Sequence, residues 1–182
     1  WSAVVDAWDL SHLGSTPHGL TEVLGLRATE LDALRPGLSN GMRLTDGTTY
    51  QVTELCGLVD CKGAETEAVY TGDWYAGQPC LTRHAYGAGE AWYLAAQVAQ
   101  AGLNALYARL AEKAGLPKAM EERLPQGVVA VDRGGVIFLQ NYAGEARRVT
   151  LLRLYEELIS GKTLSGETEL PVCAVLVLRP LE

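Results

Sequence analysis

Two carboxylate pairs, a cysteine–histidine pair and a glycine turn are the residues of this sequence whose types and spacing could do chemistry. A glycosidase needs two carboxylates about 5–9.5 Å apart across a sugar pocket. Glu30 and Asp32, and Glu65 and Glu67, are close in sequence but stand in charged, turn-like surroundings that read as solvated surface. Cys80 and His84 share an expected strand and one face of it. Four residues of extended chain separate them by about 13 Å, too far for a nucleophile and its base. Gly87-Ala88-Gly89 lacks the further glycine and the helix start of a phosphate loop. The four cysteines Cys56, Cys61, Cys80 and Cys173 contain no CxxC pair, and His12, His18 and His84 are scattered. From the residues alone no catalytic, cofactor-binding or metal-binding constellation is expected, and the thiols read as free cysteines of a cytoplasmic protein.

The elements around these residues centre on Val69–Ala96. This stretch holds two of the four tryptophans and four of the eight tyrosines, punctuated by glycines. Pro79–Tyr86 and Glu90–Ala95 read as strands folded together at the Tyr86-Gly87-Ala88-Gly89 corner. Trp74, Tyr75, Trp92 and Tyr93 are the expected packing centre, with Trp74 and Trp92 mostly buried. The same aromatics beside glycine turns would suit a sugar-binding platform if Trp74, Tyr75 and Trp92 were exposed.

Upstream, Trp1–Leu13 reads as a short apolar strand, and Ser15-Thr16-Pro17 as the start of a helix that Gly25 ends. Leu26–Leu34 fits helix or strand, the glycine before it favouring strand. Asp46-Gly47 signals a hairpin between Met42–Leu44 and Thr48–Val52, and Glu54–Asp60 and Glu67–Tyr70 continue as strands. Ala99, Leu103, Leu106, Leu110 and Ala114 recur at helical spacing until Gly115 and Pro117 stop them. Pro117–Gln126 is a charged connector and the expected domain boundary. Beyond Gly127, Val128–Asp132, Val136–Tyr142, Arg147–Leu152, Leu154–Ile159, Lys162–Leu164 and Cys173–Leu178 are short strands without a helical pattern. They describe a small all-β antiparallel sandwich or barrel.

Composition bounds the function. The 182 residues carry a net charge of −7, which argues against nucleic acid as a partner. No apolar run approaches the ~20 residues of a membrane helix. The chain opens on Trp1 without a basic n-region or cleavage signal, so no secretion signal is expected, and the opening Trp suggests a piece of a longer protein.

Several ordered segments resemble the family 42 glycoside hydrolases. These are Leu13-Gly14, Pro17-His18-Gly19-Leu20, Val23-Leu24-Gly25-Leu26, Tyr50-Gln51-Val52, Glu54-Leu55-Cys56 and Asp73-Trp74-Tyr75-Ala76-Gly77. Tyr86–Ala95 resembles a YGxGxAxY-like strand of those β-galactosidases, and Phe138-Leu139-Gln140-Asn141 an FLxN-like strand. Trp74 stands where the family often has Phe. The resemblance covers most of the chain and implies a three-part parent: a catalytic (β/α)₈ barrel, a trimerisation domain like glutamine amidotransferases, and a small C-terminal β-domain. It assigns residues 1–116 to the second half of the trimerisation domain, 117–126 to a linker and 127–182 to the C-terminal β-domain. The implied fold class is α/β, a partial glutamine-amidotransferase-like or flavodoxin-like domain, followed by an all-β sandwich or barrel. The acid/base and nucleophile glutamates belong to the barrel, upstream of Trp1, so the resemblance places no catalytic residue here. The implied role is assembly: self-association, as a trimer in the family, alongside the parent's catalytic barrel. A carbohydrate-binding or structural module is the alternative. A standalone amidotransferase-like hydrolase would need Cys61 or Cys80 activated by a histidine.

Overall fold

A computed structural model describes residues 3–181. The chain divides into two compact units, Trp1–Lys113 and Ala114–Glu182.

In the first unit, residues 3–20 are turns tied by a bridge between Val5 and Ser11, and Thr16 pairs with Ala28. The expected N-terminal strand is therefore absent among the described residues, while Trp1 itself lies outside them. The expected helix shrinks to α1 (Thr21–Leu24), which has no side-chain cap and ends at Gly25 with φ 61°. That left-handed stop sends the chain into β1 (Leu26–Ala33). There follow β2 (Asn40–Leu44), β3 (Thr49–Cys61), β4 (Glu65–Tyr70), β5 (Pro79–Tyr86), β6 (Gly89–Leu94), β7 (Ala96–Val98) and α2 (Gln100–Lys113).

Every strand pairing in this unit is antiparallel. This overturns the expected α/β, flavodoxin-like architecture, whose parallel strands need a helical crossover between each pair. Only α2 is longer than one turn among the described residues, and hairpins join β2 to β3, β4 to β5 and β5 to β6. The sheet runs β1-β3-β2-β4-β5-β6, and β7 pairs back onto β3. One residue, Ala95, separates β6 from β7. Its N–H donates to the Cys80 carbonyl on β5 (2.9 Å), and its carbonyl accepts from the Gly57 N–H on β3 (2.7 Å). The sheet thereby closes into a small barrel. A Cβ on Gly57 would stand 2.8 Å from that carbonyl, so the seam requires glycine there.

Met42, Val52, Cys56, Ala68, Tyr70, Tyr75 and Cys80 fill the interior, as expected for a barrel this narrow. Helix α2 adds Leu106 to this core. It packs so close that a Cβ on Gly102 would meet Val98 and Tyr50 below 3 Å.

The second unit has five strands: β8 (Val128–Arg133), β9 (Val136–Asn141), β10 (Arg147–Glu157), β11 (Lys162–Leu170) and β12 (Val175–Pro180). They form one antiparallel sheet in the order β11-β10-β12-β9-β8, rather than the expected sandwich or barrel. The two strands expected between Arg147 and Ile159 are one strand, β10, irregular between Leu151 and Tyr155. Strand β12 inserts between the hairpins β8–β9 and β10–β11, pairing with both. Alternating residues Ile137, Leu139 and Asn141 point inward from β9. The core also contains Val149, Leu151, Tyr155, Leu170 and Leu178, with Met120 from the preceding segment.

Asn141, in the Phe138–Asn141 segment, is buried with all its polar groups engaged. Its amide donates to the carbonyls of Glu145, Leu170 and Pro171 at 2.9–3.1 Å, and its oxygen accepts from the Ala143 N–H. That asparagine holds a fold together.

Candidate functional site

The reactive-looking groups are absorbed by the fold one after another. Glu65 and Glu67 both face Arg83, which also pairs with Glu90 at 2.9 Å. Lys113 of α2 completes the cluster, 2.7 Å from Glu90 and 5.0 Å above the Trp92 ring. Hydrogen bonds donated to Glu67 and Glu90 hold the Arg83 guanidinium above its ordinary pKa, and Lys113 holds Glu90 below its own. Glu65 and Glu67 are thus a salt-bridge cluster without a sugar pocket between them. Of the other pair, Asp32 accepts a 2.7 Å hydrogen bond from the Tyr75 hydroxyl.

Three of the four cysteines are equally quiet, and Cys173 is an exposed thiol. Burial pushes the Cys80 thiol up to about 12 and raises Cys56 and Cys61 as well. A thiol held protonated is a poor nucleophile. His84 uses Nδ1 on the Val23 carbonyl at 2.8 Å, fastening β5 to α1.

The centre of the unit is a turn. Gly72–Gln78 joins β4 to β5, and several of its backbone groups are held by hydrogen bonds. The Asn40 side chain accepts from the Gly72 N–H (2.9 Å) and donates to the Gly72 carbonyl (3.0 Å). Tyr70 receives the Gly77 N–H (2.9 Å) and donates its own N–H to Gln78 (3.0 Å). Asp73 sits at φ 66°, and its carboxylate accepts the Trp74 N–H at 2.6 Å. This left-handed residue sends its two aromatic neighbours in opposite directions. Tyr75 is 1% exposed inside the barrel, edge-on to Tyr70 at 5.1 Å. Tyr70 in turn donates its hydroxyl to the Gly57 and Ala95 carbonyls at the seam (2.9 and 3.3 Å).

Trp74 is 71% exposed. The expectation that it is buried was wrong: Tyr75 takes the interior position and the neighbouring indole is left in solvent. Trp92 lies on β6 as expected but is half-buried, under Lys113. The three aromatics of the sugar-platform alternative therefore form no shared flat surface. The signal the sequence did carry was the Asp73-Trp74-Tyr75 order itself: a turn-forming residue ahead of an aromatic doublet.

On the outer face of the barrel lies a cavity of about 210 Å³ over β1, β3 and β6. Its lining is mixed: Thr16, Thr29 and Glu30 stand beside Leu31, Val59 and Tyr93.

Compared with known proteins, residues 1–117 match the family model described as the β-galactosidase trimerisation domain, and residues 127–180 the β-galactosidase C-terminal domain. The chain belongs to the family 42 β-galactosidases. Curated family members include the β-galactosidase BglY of Alicyclobacillus acidocaldarius, 39% identical over 189 residues, and Pbg of Clostridium perfringens, 32% identical over 190. Each alignment covers 98% of this chain and 28% of the relative. Among solved family structures, the cold-adapted β-galactosidase of a Rahnella species superposes with a TM-score of 0.86 at 32% identity. That superposition covers 100% of this chain and 28% of the other. The enzyme of Bacillus circulans sp. alkalophilus gives 0.85 at 32% identity, covering 99% and 28%. The chain thus spans little more than a quarter of the length of the family members it matches.

Proposed function

We propose that this chain is the non-catalytic assembly region of a β-galactosidase that removes terminal β-D-galactosyl residues. In this reading the parent's catalytic barrel supplies the two glutamates of a retaining mechanism, through a covalent glycosyl-enzyme. Residues 1–116 serve self-association, 117–126 link, and 127–182 form the C-terminal β-domain. The single observation that carries the reading is the pair of family matches, one to a trimerisation domain and one to a C-terminal domain. The engagement of Glu65, Glu67 and Asp32 in structural contacts, and of Cys56 and Cys80 in the core, supports it. The cytoplasm suits the chain, because all four cysteines are free thiols. Its net charge of −7 disfavours nucleic acid as a partner. No helix among the described residues is long and apolar enough to cross a membrane.

The purified chain is expected to release no chromophore from an aryl β-galactoside and to scatter light as a species heavier than 19.6 kDa at micromolar concentration. Turnover that disappears on Glu30→Gln or Glu67→Gln substitution would overturn the non-catalytic part. A monomer stable across dilution and salt would overturn the assembly part.

A further inference from the structure

Residues 118–126 lie between the two family matches, in the stretch read above as a linker. Alternate side chains of its middle nevertheless turn into the second unit. Met120 is 5% exposed and belongs to the same core as Leu139, Val149 and Leu178, and Leu124 packs against that core. Between them Glu122 is buried, whereas Glu121 and Arg123 are exposed. Burying a carboxylate is costly unless donors meet the anion, so the partners of Glu122 decide whether the segment stays down.

Those partners come from the irregular part of β10. Its pairing with β11 breaks between Leu151 and Tyr155, and the Leu152 N–H donates instead to Glu122 Oε1 (3.1 Å). The buried Tyr155 hydroxyl donates to the same oxygen (2.8 Å), and the Arg153 Nε–H donates to that hydroxyl (3.2 Å). An exposed guanidinium is thereby coupled to a buried carboxylate through a phenol. No group donates to Glu122 Oε2, which is buried as well. The fastening rests on one oxygen.

We propose that Met120–Leu124 is a strap over the core of the second unit, latched by the ionised Glu122 and released when acid protonates it. This gives the segment a role beyond linking and does not depend on the assembly reading. Protonation removes the charge that strengthens both hydrogen bonds, and it adds a hydroxyl donor to a site that already supplies two donors. Among the described residues, Tyr155 and Arg153 of β10 act on Glu122, and Glu121 on the strap acts on Arg153. Burial works against the anion, but Tyr155, Leu152 and Arg153 together outweigh it and hold Glu122 below its ordinary value near 4.5. A lowered carboxylate stabilises the docked strap fully above that value, and the contribution is lost as the pH falls below it.

Met120 itself reports on the strap, because hydrogen peroxide converts an accessible thioether to the sulfoxide and spares a covered one. The other methionine, Met42, is fully buried in the first unit and is the internal control. Peroxide oxidation of the whole chain is followed by peptide mass spectrometry in steps from pH 7 to pH 2.5, beside amide protection in β9. In the wild type, Met120 is expected to become at least about tenfold more reactive at a higher pH than that at which β9 opens, with Met42 unchanged. Glu122→Gln cannot titrate, so its Met120 is expected to react about tenfold faster already at pH 7, without a further acid step before β9 opens. Tyr155→Phe keeps the ring and removes the relay, and is expected to fall between the two at pH 7. Circular dichroism checks that both variants fold, and the wild-type titration decides the matter if either does not. Met120 reacting only together with loss of β9 protection overturns the strap. A folded Glu122→Gln chain that shields Met120 as the wild type does overturns the latch, and a Tyr155→Phe chain that does so overturns the relay.

Discussion

Residues before Ala114 bury hydroxyls and thiols, whereas those from Ala114 onward bury carboxylates. In the barrel, Tyr70, Tyr75, Cys56 and Cys80 are enclosed together, and burial pushes every one of them above its ordinary pKa. All four are neutral at pH 7 and remain neutral on acidification. In the second unit, Glu157 is almost wholly buried and accepts hydrogen bonds from the N–H groups of Ile159 (3.2 Å), Ser160 (2.6 Å) and Val177 (3.2 Å). The hydrogen bonds at Ser160, ahead of those from Val177 and Ile159, hold it down to about 2. Glu122 accepts the Tyr155 hydroxyl (2.8 Å) and the Leu152 N–H (3.1 Å), which the irregularity in β10 leaves free for it. Burial works to raise Glu122, but those donors together with Arg153 outweigh it and the net shift is downward. The first unit thus buries neutral groups and keeps its ion pairs near the surface, whereas the second buries two anions, so acid should weaken the second unit first.

The largest effect expected is at the barrel seam. Tyr70→Ala removes a fully buried ring and the hydroxyl that bridges Gly57 and Ala95, and should destabilise the first unit by about 3–5 kcal/mol. Tryptophan fluorescence reads that unit selectively, since all four tryptophans precede Ala114. A melt unchanged by the substitution would mean that the sheet does not close through Ala95.

Next in size is Glu157→Gln, which replaces an anion on three backbone donors and should destabilise the second unit by about 2–3 kcal/mol. The pH dependence follows the sign of the shift. A carboxylate whose pKa is lowered in the folded state stabilises fully above its unfolded value near 4.5. That contribution is lost as the pH falls from there toward 2. The protection of amides in β9 and β10, relative to their intrinsic exchange rate at each pH, should therefore fall on acidification before the tryptophan signal changes. Simultaneous loss of both signals would erase the contrast between neutral and anionic cores.

How far the sequence foretold this depended on whether the deciding interaction was local. The β5–β6 hairpin was legible, because Gly87 at φ 57° makes the corner and the strand pattern continues on both sides. Helix α2 was legible from its apolar period and its Gly115 stop. The three-residue β7 was not, since Ala96–Val98 looks like the lead into that helix, yet it is the piece that closes the barrel. The α/β expectation came from the helical patterns read beside the strands as well as from the resemblance, and it failed: β3 and β4 alternate buried and open positions, as half-exposed antiparallel strands do. In the second unit, turn residues marked the hairpins, but nothing local told that β12 returns between them. At the candidate site, the doublet Trp74-Tyr75 was visible as important. Which ring goes inward depends on the backbone angle of Asp73, and composition does not encode that.

The smallest effect expected is the one that separates surface from core within a single turn. Trp74 touches Tyr75 edge-on, with ring centroids 5.3 Å apart at 85°. Buried aromatic pairs of this geometry contribute about 0.5–1.5 kcal/mol beyond their area. Here one partner is 71% exposed, so water competes for most of the indole and little of that gain survives. Trp74→Ala should consequently shift the stability of the first unit by no more than about 0.5 kcal/mol, as exposed substitutions do. Urea unfolding followed by circular dichroism, at a concentration where the chain is monomeric, measures this without interference from association. A loss above 1 kcal/mol under those conditions would make the indole part of the fold's own packing. Its exposure would then no longer separate it energetically from the buried Tyr75 beside it.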